Sequence, residues 1–285
     1  MPIILDGKTL ADKICLELKE RADKLKASGV FPMLTIVTSG DDAASKLYVR
    51  NKVRRAEDIG IDAEVVHYDS ICRHHAWEQS MKVRPIIYQM PITGTVTLDD
   101  LDTFVGSCID VDGFVSSRNV SAVANGEQPC FYPCTPKGIM RLLSEYEITP
   151  EEKGVCIIGR SNIVGRPLAR MMEQAGATVT VCHSRTPKWM LWDIMAASDV
   201  VVSATGQRNV LKYTDIAQLE YHHRLDVQTF IDVGMNRDVN GKLCGDIDPE
   251  ILKRSKAYTP VPGGVGPMTV AMLMENVIEY YERNL

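Results

Sequence analysis

The stretch "GRSNIVGRP", residues 159–167, follows the apolar run "VCIIG" and precedes the helical pattern "LARMMEQAG". A strand, a glycine-bearing turn and a helix in that order can bind a dinucleotide phosphate, because the helix N-terminus offers free N–H groups and the positive end of its dipole. Gly159 would end the strand and Gly165 would enter the helix, with Ser161 and Asn162 free to donate between them. The spacing departs from the usual G-x-G-x-x-G, and glycine at a sharp turn also serves packing alone. Taken by itself, the turn leaves both interpretations open.

The end of the following strand, "TVTVCHSRT", bears on which dinucleotide such a turn would take. A site for NAD needs an Asp or Glu about 20 residues on, which accepts from the ribose 2′-hydroxyl. This chain has no acid there and offers Ser184 and Arg185, with Arg160 in the turn itself. Hydroxyl and guanidinium groups favour the 2′-phosphate of NADP. The sequence therefore predicts NADP, and the alternative is a solvated basic turn.

Tyr48 and Lys52 lie four residues apart in the helical pattern "SKLYVRNKVRRAEDIG", so they are neighbours on one helix face. That face borders the apolar stripe of Val49, Val53 and Ala56. Lys52 has no carboxylate three or four residues away on either side. A lysine at a half-buried rim beside a like charge can exchange a proton with substrate and act as acid or base. The alternative is a surface lysine whose stem lies along the helix.

Two further stretches carry residues suited to ligand binding. "CIDVDGF" places Asp110 and Asp112 before a glycine, in a turn expected between domains, where aspartates often only shape the turn. "TPVPGGVGPMT", residues 259–269, concentrates proline and glycine between the last strand and a helix N-terminus. Open α/β sheets place their ligand crevice at such strand ends, and glycine lets the backbone approach a ligand closely.

Composition and charge limit the classes of partner. The formal net charge is −5 over 285 residues, so a nucleic-acid or membrane-surface role has little electrostatic support. The eight cysteines form no C-x-x-C pair, and "CRHH" (72–75) has no second cluster at zinc-site spacing. We therefore expect reduced, buried thiols and no metal. The start of the chain has no signal-peptide pattern, so we expect a cytoplasmic protein.

The elements that would position these residues fall into two regimes. Up to about residue 120, helical and strand patterns mix; "DGKTLADKICLELKERADKL" predicts a helix with an apolar stripe of Leu10, Ile14, Leu16, Leu18 and Leu25. From about residue 134, strands and helices alternate regularly, starting with a helix that has Thr135 as N-cap and Pro136 at its first position. Short strands rich in β-branched residues then alternate with helices, which is typical of a parallel sheet covered on both faces.

Taken together, the motifs resemble one family over nearly the full length of the chain. "SKLYVRNK", "DVDGF", "PCTPKGIMRLL", "GRSNIVGRPLA", "CHSRT", "DVGMNR", "GDID" and "TPVPGGVGPMTVAML" match bacterial bifunctional methylenetetrahydrofolate dehydrogenase/methenyltetrahydrofolate cyclohydrolases. The resemblance implies an α/β protein of two domains. Residues 1–120 would form the catalytic folate domain, residues 134–262 a Rossmann-type NADP domain, and a C-terminal helix of about 267–285 would pack back on the first domain. It also implies a homodimer that acts on tetrahydrofolate derivatives.

The same resemblance implies roles for individual residues. Lys52 would be the acid/base of the cyclohydrolase step, hydrogen-bonded by Gln89. Tyr48 would pack on the folate, and Asp112 would hold the pterin. Further expected contacts are Pro262, Gly263 and Gly264 for the folate, and Gly159, Arg160, Ser161, Ser184 and Met235 for NADP.

Departures from the family pattern cluster near the folate residues. Pro85 stands where the family has glycine, Thr93–Gly94 replaces Leu-Pro, Ile109 replaces lysine and Ser121 replaces glycine. The segment 69–88 is also about ten residues shorter than usual. Two alternatives therefore stay open: a dehydrogenase with weak or lost cyclohydrolase activity, and a folate- or NADP-binding protein without turnover. The joint presence of Tyr48, Lys52, Gln89 and Asp112 argues against both.

Overall fold

The computed structural model describes residues 1–39, 43–67, 84–90, 109–216 and 220–285. The strands are β1 Ile3–Ile4, β2 Met33–Thr38, β3 Asp62–His67, β4 Ile86–Tyr88, β5 Gly154–Ile158, β6 Thr178–Cys182, β7 Val200–Ser203, β8 Thr229–Asp232, β9 Asn236–Arg237, β10 Leu243–Cys244 and β11 Ala257–Tyr258. The helices are α1 Gly7–Ala27, α2 Ala43–Ile59, α3 Ser117–Asn125, α4 Cys134–Glu145, α5 Gly165–Gln174, α6 Lys188–Ala197, α7 Tyr213–Ile216, a 3₁₀ helix Glu220–Val227, α8 Pro249–Leu252 and α9 Val265–Arg283.

The chain divides into two compact units. Met1–Leu10 and Thr135–Thr269 form the first unit, and Ala11–Cys134 and Val270–Leu285 form the second. The first unit therefore corresponds to the expected nucleotide-binding half plus the N-terminal strand. The sequence pattern had assigned the first ten residues to the other half.

Within the described residues, the first unit contains six parallel strands in the order β1-β11-β8-β7-β5-β6. β5, β7 and β8 are almost wholly buried, as expected for apolar strands covered on both faces. β6 is largely exposed, because it ends the sheet. Phe230, Trp192 and Cys156 belong to the core that packs against these strands.

The second unit is built on a smaller parallel sheet, in which the described strands follow the order β3-β2-β4. α2 packs against β3. The part of α9 that belongs to this unit is tied to it by specific contacts. Tyr281 hydrogen-bonds the backbone of Met33, and Arg21 forms a bidentate ion pair with Glu282. These contacts confirm the expected packing of the C-terminal helix on the N-terminal half.

Several local expectations need correction. Leu10, Ile14, Leu18 and Leu25 are buried in α1 as predicted, but Leu16 is 69% exposed, since it lies off the 3.6-residue stripe. The other corrections concern α4, which begins at Cys134, so Thr135 and Pro136 lie inside its first turn. The Thr135 hydroxyl instead hydrogen-bonds the Thr269 hydroxyl at 3.0 Å.

Six of the cysteines fall in described residues, and all six are free thiols. No helix in the described ranges is long and apolar enough to cross a membrane. The same ranges contain no group of His, Cys, Asp or Glu placed to hold a metal ion. The "CRHH" stretch, Thr93–Gly94 and most of the shortened segment 69–88 lie outside the described residues.

Candidate active-site residues

Lys52 and Asp112 form a buried charge pair in the second unit. α2 carries Lys52, and the turn after Ile109 carries Asp112; each residue is only 8% exposed. Lys52 Nζ lies 3.9 Å from Asp112 Oδ2. As the sequence indicates, Lys52 has no carboxylate one helical turn away on α2. Its partner, Asp112, comes from a distant part of the chain. Lys52 is therefore a buried, paired cation, and the interpretation as a surface lysine is wrong.

Asp110 shapes the turn that presents Asp112. Its carboxylate accepts from the N–H groups of Gly113 at 3.0 Å, Val115 at 3.0 Å and Ser116 at 2.8 Å. Burial, helped by the nearby Asp112 carboxylate and opposed by these hydrogen bonds, raises the pKa of Asp110 to about 6. Asp110 therefore holds the backbone of the turn, whereas Asp112 faces Lys52.

Tyr48 and Gln89 are the other residues predicted near Lys52. Tyr48 lies one helical turn before Lys52 on α2 and is partly buried. Gln89 follows β4, and its Nε2 donates to the carbonyl of Met90 at 2.9 Å. Its Oε1 is buried and accepts no hydrogen bond from any described residue, so the expected bond to Lys52 is not made here. A buried acceptor without a donor is costly, which leaves Gln89 ready to accept from a ligand or a moved side chain.

The turn at Gly159 in the first unit joins β5 to the N-terminus of α5. Gly159 has φ 127°, and a Cβ on it would overlap the carbonyl of Ala204. A Cβ on Gly165 would overlap the Gly159 carbonyl in turn, so the glycines also serve packing. Ser161 Oγ accepts from the N–H of Val164 at 3.1 Å, at the start of α5. The N-terminus of α5 is the part of this turn that suits a phosphate.

The loop after β6 lies next to that turn in the sheet, because the Gly159 N–H donates to the Cys182 carbonyl at 2.9 Å. The loop is closed by His183 and Thr186: the His183 N–H donates to Thr186 Oγ1 at 3.0 Å, and the Thr186 N–H donates to the His183 carbonyl at 2.8 Å. Ser184 between them is exposed, as is Arg160 in the turn. The predicted hydroxyl and guanidinium groups are therefore accessible at adjacent strand ends.

The glycine-rich loop after β11 is braced by the N-terminal residues of the same unit. Gly263 has φ 110°, and its carbonyl accepts from the Lys8 N–H at 2.8 Å. A Cβ on Gly7 would overlap the carbonyl of Gly264. Pro262 is exposed at the tip. The sequence alone did not reveal that Gly7, in the stretch "DGKTLADKI", is needed for close packing against this loop.

Met235, in "DVGMNR", is 44% exposed just after β8. The segment is held by two buried aspartates, Asp232 and Asp246, which sequence reasoning did not single out. Their motifs, "DVGMNR" and "GDID", were recognised only as family matches.

Two family models cover most of the chain. The tetrahydrofolate dehydrogenase/cyclohydrolase catalytic domain matches residues 5–112, and the NAD(P)-binding domain of the same family matches residues 133–285. The chain belongs to the tetrahydrofolate dehydrogenase/cyclohydrolase family. Its sequence is similar to a "Bifunctional protein FolD" of Polaromonas naphthalenivorans, with 40% identity over 98% of each chain.

Solved structures of the tetrahydrofolate dehydrogenase/cyclohydrolase family have the same fold. The bifunctional FolD of Campylobacter jejuni superposes with a TM-score of 0.89, at 38% identity over 100% of both chains. The methylenetetrahydrofolate dehydrogenase-cyclohydrolase of Trypanosoma brucei, complexed with NADP cofactor and an inhibitor, has a TM-score of 0.87 at 29% identity, over 99% of this chain and 98% of that one.

Proposed function

We propose that this chain oxidises 5,10-methylenetetrahydrofolate to 5,10-methenyltetrahydrofolate with NADP, and then hydrolyses that product to 10-formyltetrahydrofolate. It is a bifunctional dehydrogenase and cyclohydrolase of its family. The observation that carries the second activity is the buried pair of Lys52 and Asp112. A dehydrogenase alone needs chiefly to position substrate and cofactor, whereas hydrolysis needs proton transfer.

The residues of the first unit fit NADP. The turn at Gly159 and the N-terminus of α5 suit a pyrophosphate, and exposed Arg160 and Ser184 suit a 2′-phosphate. Gly159, Arg160, Ser161, Ser184 and Met235 are the proposed contacts. NADP supplies the acceptor for the hydride that leaves the methylene carbon. The protein's part in this step is to hold and orient the reactants.

Hydrolysis adds water to the methenyl carbon and breaks the bond from that carbon to one ring nitrogen. The water oxygen becomes the formyl oxygen and gives up both of its protons, one to the departing nitrogen and one to solvent. Lys52 would move these protons. The Asp112 carboxylate lies 3.9 Å from Lys52 Nζ and would also hold the pterin. Tyr48 would pack on the folate, and Gln89 Oε1, to which no described residue donates, would receive a hydrogen bond as the site fills. Pro262, Gly263 and Gly264 remain proposed substrate contacts.

The alternative, a dehydrogenase without cyclohydrolase activity, rested on departures from the family pattern. Two of the departing residues, Pro85 and Ile109, take part in backbone hydrogen bonds of the second unit. Pro85 accepts from the Thr35 N–H at 2.9 Å through its carbonyl, and Ile109 is a buried residue whose carbonyl accepts from Ile86 at 2.8 Å. The Lys52–Asp112 pair forms in the same unit. The bifunctional assignment is therefore favoured.

A two-wavelength assay tests the proposal. Purified enzyme is given methylenetetrahydrofolate and NADP, and NADPH and the methenyl compound are followed separately. We expect NADPH to form with little methenyl accumulation, because the second step removes it. NADPH formation with stoichiometric methenyl accumulation would instead establish the dehydrogenase-only alternative, and no NADPH at all would contradict the assignment.

We further propose a homodimer located in the cytoplasm. The exposed strand β6 supports the dimer, since no described strand pairs with its outer edge. The free thiols of the described residues are in keeping with a reducing compartment.

A further inference from the structure

Two carboxylates are buried where the strands of the six-stranded sheet end. Asp232 closes β8 and is 1% exposed; Asp246 follows β10 and is fully buried. Every hydrogen bond that the described residues donate to them comes from a neutral group. Buried carboxylates that pair with no described cation are costly, so their presence at this edge of the sheet calls for a reason beyond packing.

Asp246 gathers two chain segments around its side chain. Oδ2 accepts from the Ser203 hydroxyl at 3.0 Å, from the Thr205 N–H and hydroxyl, both at 2.8 Å, and from the Gly206 N–H at 3.2 Å. Oδ1 accepts from Asn236 Nδ2 at 2.9 Å. One carboxylate therefore fixes the loop after β7 and the segment after β8.

Asp232 holds Asp246 in place and links a third segment. Its Oδ1 accepts from the N–H groups of Asp246 and Gly234, both at 2.9 Å, and its own N–H donates to Thr259 Oγ1 at 2.7 Å. A Cβ on Gly234 would overlap the Asp246 carboxylate. Thr259 begins the glycine-rich loop after β11.

The segments joined in this way all lie at the carboxyl ends of neighbouring parallel strands, β7, β8 and β11. Ligands of open α/β sheets bind at that edge. Met235, a proposed cofactor contact, lies between Gly234 and Asn236, both of which the carboxylates hold.

We propose that Asp246 is a positioning residue for NADP, whose carboxylate sets the Thr205–Gly206 and Gly234–Asn236 segments against the cofactor. This inference rests on the proposed use of NADP. Replacement by Asn tests it, because an amide has one acceptor oxygen. The NH₂ group of the new Asn would then face groups that are themselves donors, either those of Ser203, Thr205 and Gly206 or the amide of Asn236. The hydrogen bonds on that side would be lost.

The experiment compares full-length wild type, Asp246→Asn and a control, Asp248→Asn. Asp248 also accepts two backbone N–H groups, from Glu250 and Tyr213, but caps the short helix α8. NADP affinity is measured by calorimetric titration, hydrolysis is measured with methenyltetrahydrofolate supplied directly, and thermal unfolding is recorded. We expect Asp246→Asn to raise the Kd for NADP about tenfold or more, the scale of a hydrogen bond to a charged group, while hydrolysis stays within about twofold of wild type.

An unchanged Kd for NADP in Asp246→Asn would overturn the proposal, and so would an equal rise in Asp248→Asn. A parallel loss of binding, hydrolysis and stability would assign Asp246 a merely structural role. If Asp246→Asn does not fold, Ser203→Ala decides, because it removes a single donor to the carboxylate; a Kd equal to that of wild type would then refute the inference. Failure of wild type itself to bind NADP would count against the proposed function and is distinguishable from all of these.

Discussion

At the scale of single residues, Lys52 gives the sharpest test of mechanism. Lys52→Met keeps the length and apolar stem of the side chain but removes the ammonium that faces Asp112. General acid–base catalysis typically contributes 10²–10⁴-fold, so hydrolysis of methenyltetrahydrofolate should fall by about that factor. Dehydrogenase activity should fall less, and the methenyl compound should accumulate while NADPH still forms.

The matched control for this variant is Arg54→Met, which removes an exposed cation from the same helix. It should keep both activities. Wild-type hydrolysis in Lys52→Met would show that the buried pair is structural only. Equal loss in both variants would trace the effect to α2 as a whole.

Arg160 is the residue that tests cofactor choice. Arg160→Ala should weaken NADP binding by about 1.5–3 kcal/mol, the range for hydrogen bonds to charged groups, and leave NAD binding almost unchanged. Lys153→Ala is the control, since Lys153 is an exposed cation just before β5, at the opposite end of the strand from Arg160. Calorimetric titration of both cofactors measures the effect. Equal affinity of the wild type for NADP and NAD would contradict the prediction.

At the scale of elements, the turn from Asp110 to Ser116 links stability to pH. Burial raises the pKa of Asp110 to about 6, above its value near 3.9 in the unfolded chain. The folded state therefore binds the proton more tightly between those values, and this group adds stability as pH falls from 7 to 5. Asp110→Asn removes the titration. The free energy of unfolding of wild type relative to this variant should rise by about 1 kcal/mol over that interval, as denaturant titrations at both pH values would measure. A constant difference would contradict the raised pKa.

Local patterns predicted those elements whose determinants are local. The apolar runs correctly predicted β5, β7 and β8. The helical stripe correctly predicted the buried face of α1, except that Leu16 lies off this face and is exposed. The turn at Gly159 was recognisable because a strand, a glycine and a helix follow one another in sequence. The pairing of β1 with β11 was not, because two residues carry no periodic signal and their partner lies at the other end of the chain.

At the scale of the molecule, the features that sequence could not supply are long-range pairs of polar groups. Lys52 and Asp112 meet across the second unit, and Asp246 collects donors from two loops of the first. Each aspartate alone looks like a turn residue, since its neighbours in sequence do not reveal its partner. The family resemblance implies roles for Lys52 and Asp112, but only the three-dimensional arrangement shows which groups contact each other.

The proposed homodimer also belongs to this scale, and β6 is where it can be tested. A parallel edge strand leaves N–H and C=O groups that can pair with a second copy around a two-fold axis. Val181 on this strand is 37% exposed. Wild type should sediment at about twice the chain mass of 31.7 kDa at micromolar concentration.

Val181→Asp should shift the equilibrium to monomer, because it places two carboxylates in the paired edge. Val239→Asp, at a valine that is 89% exposed in the turn between β9 and β10, should leave the dimer intact. A wild type that sediments only as monomer would refute the dimer, and a dimer that survives Val181→Asp would move the interface away from β6.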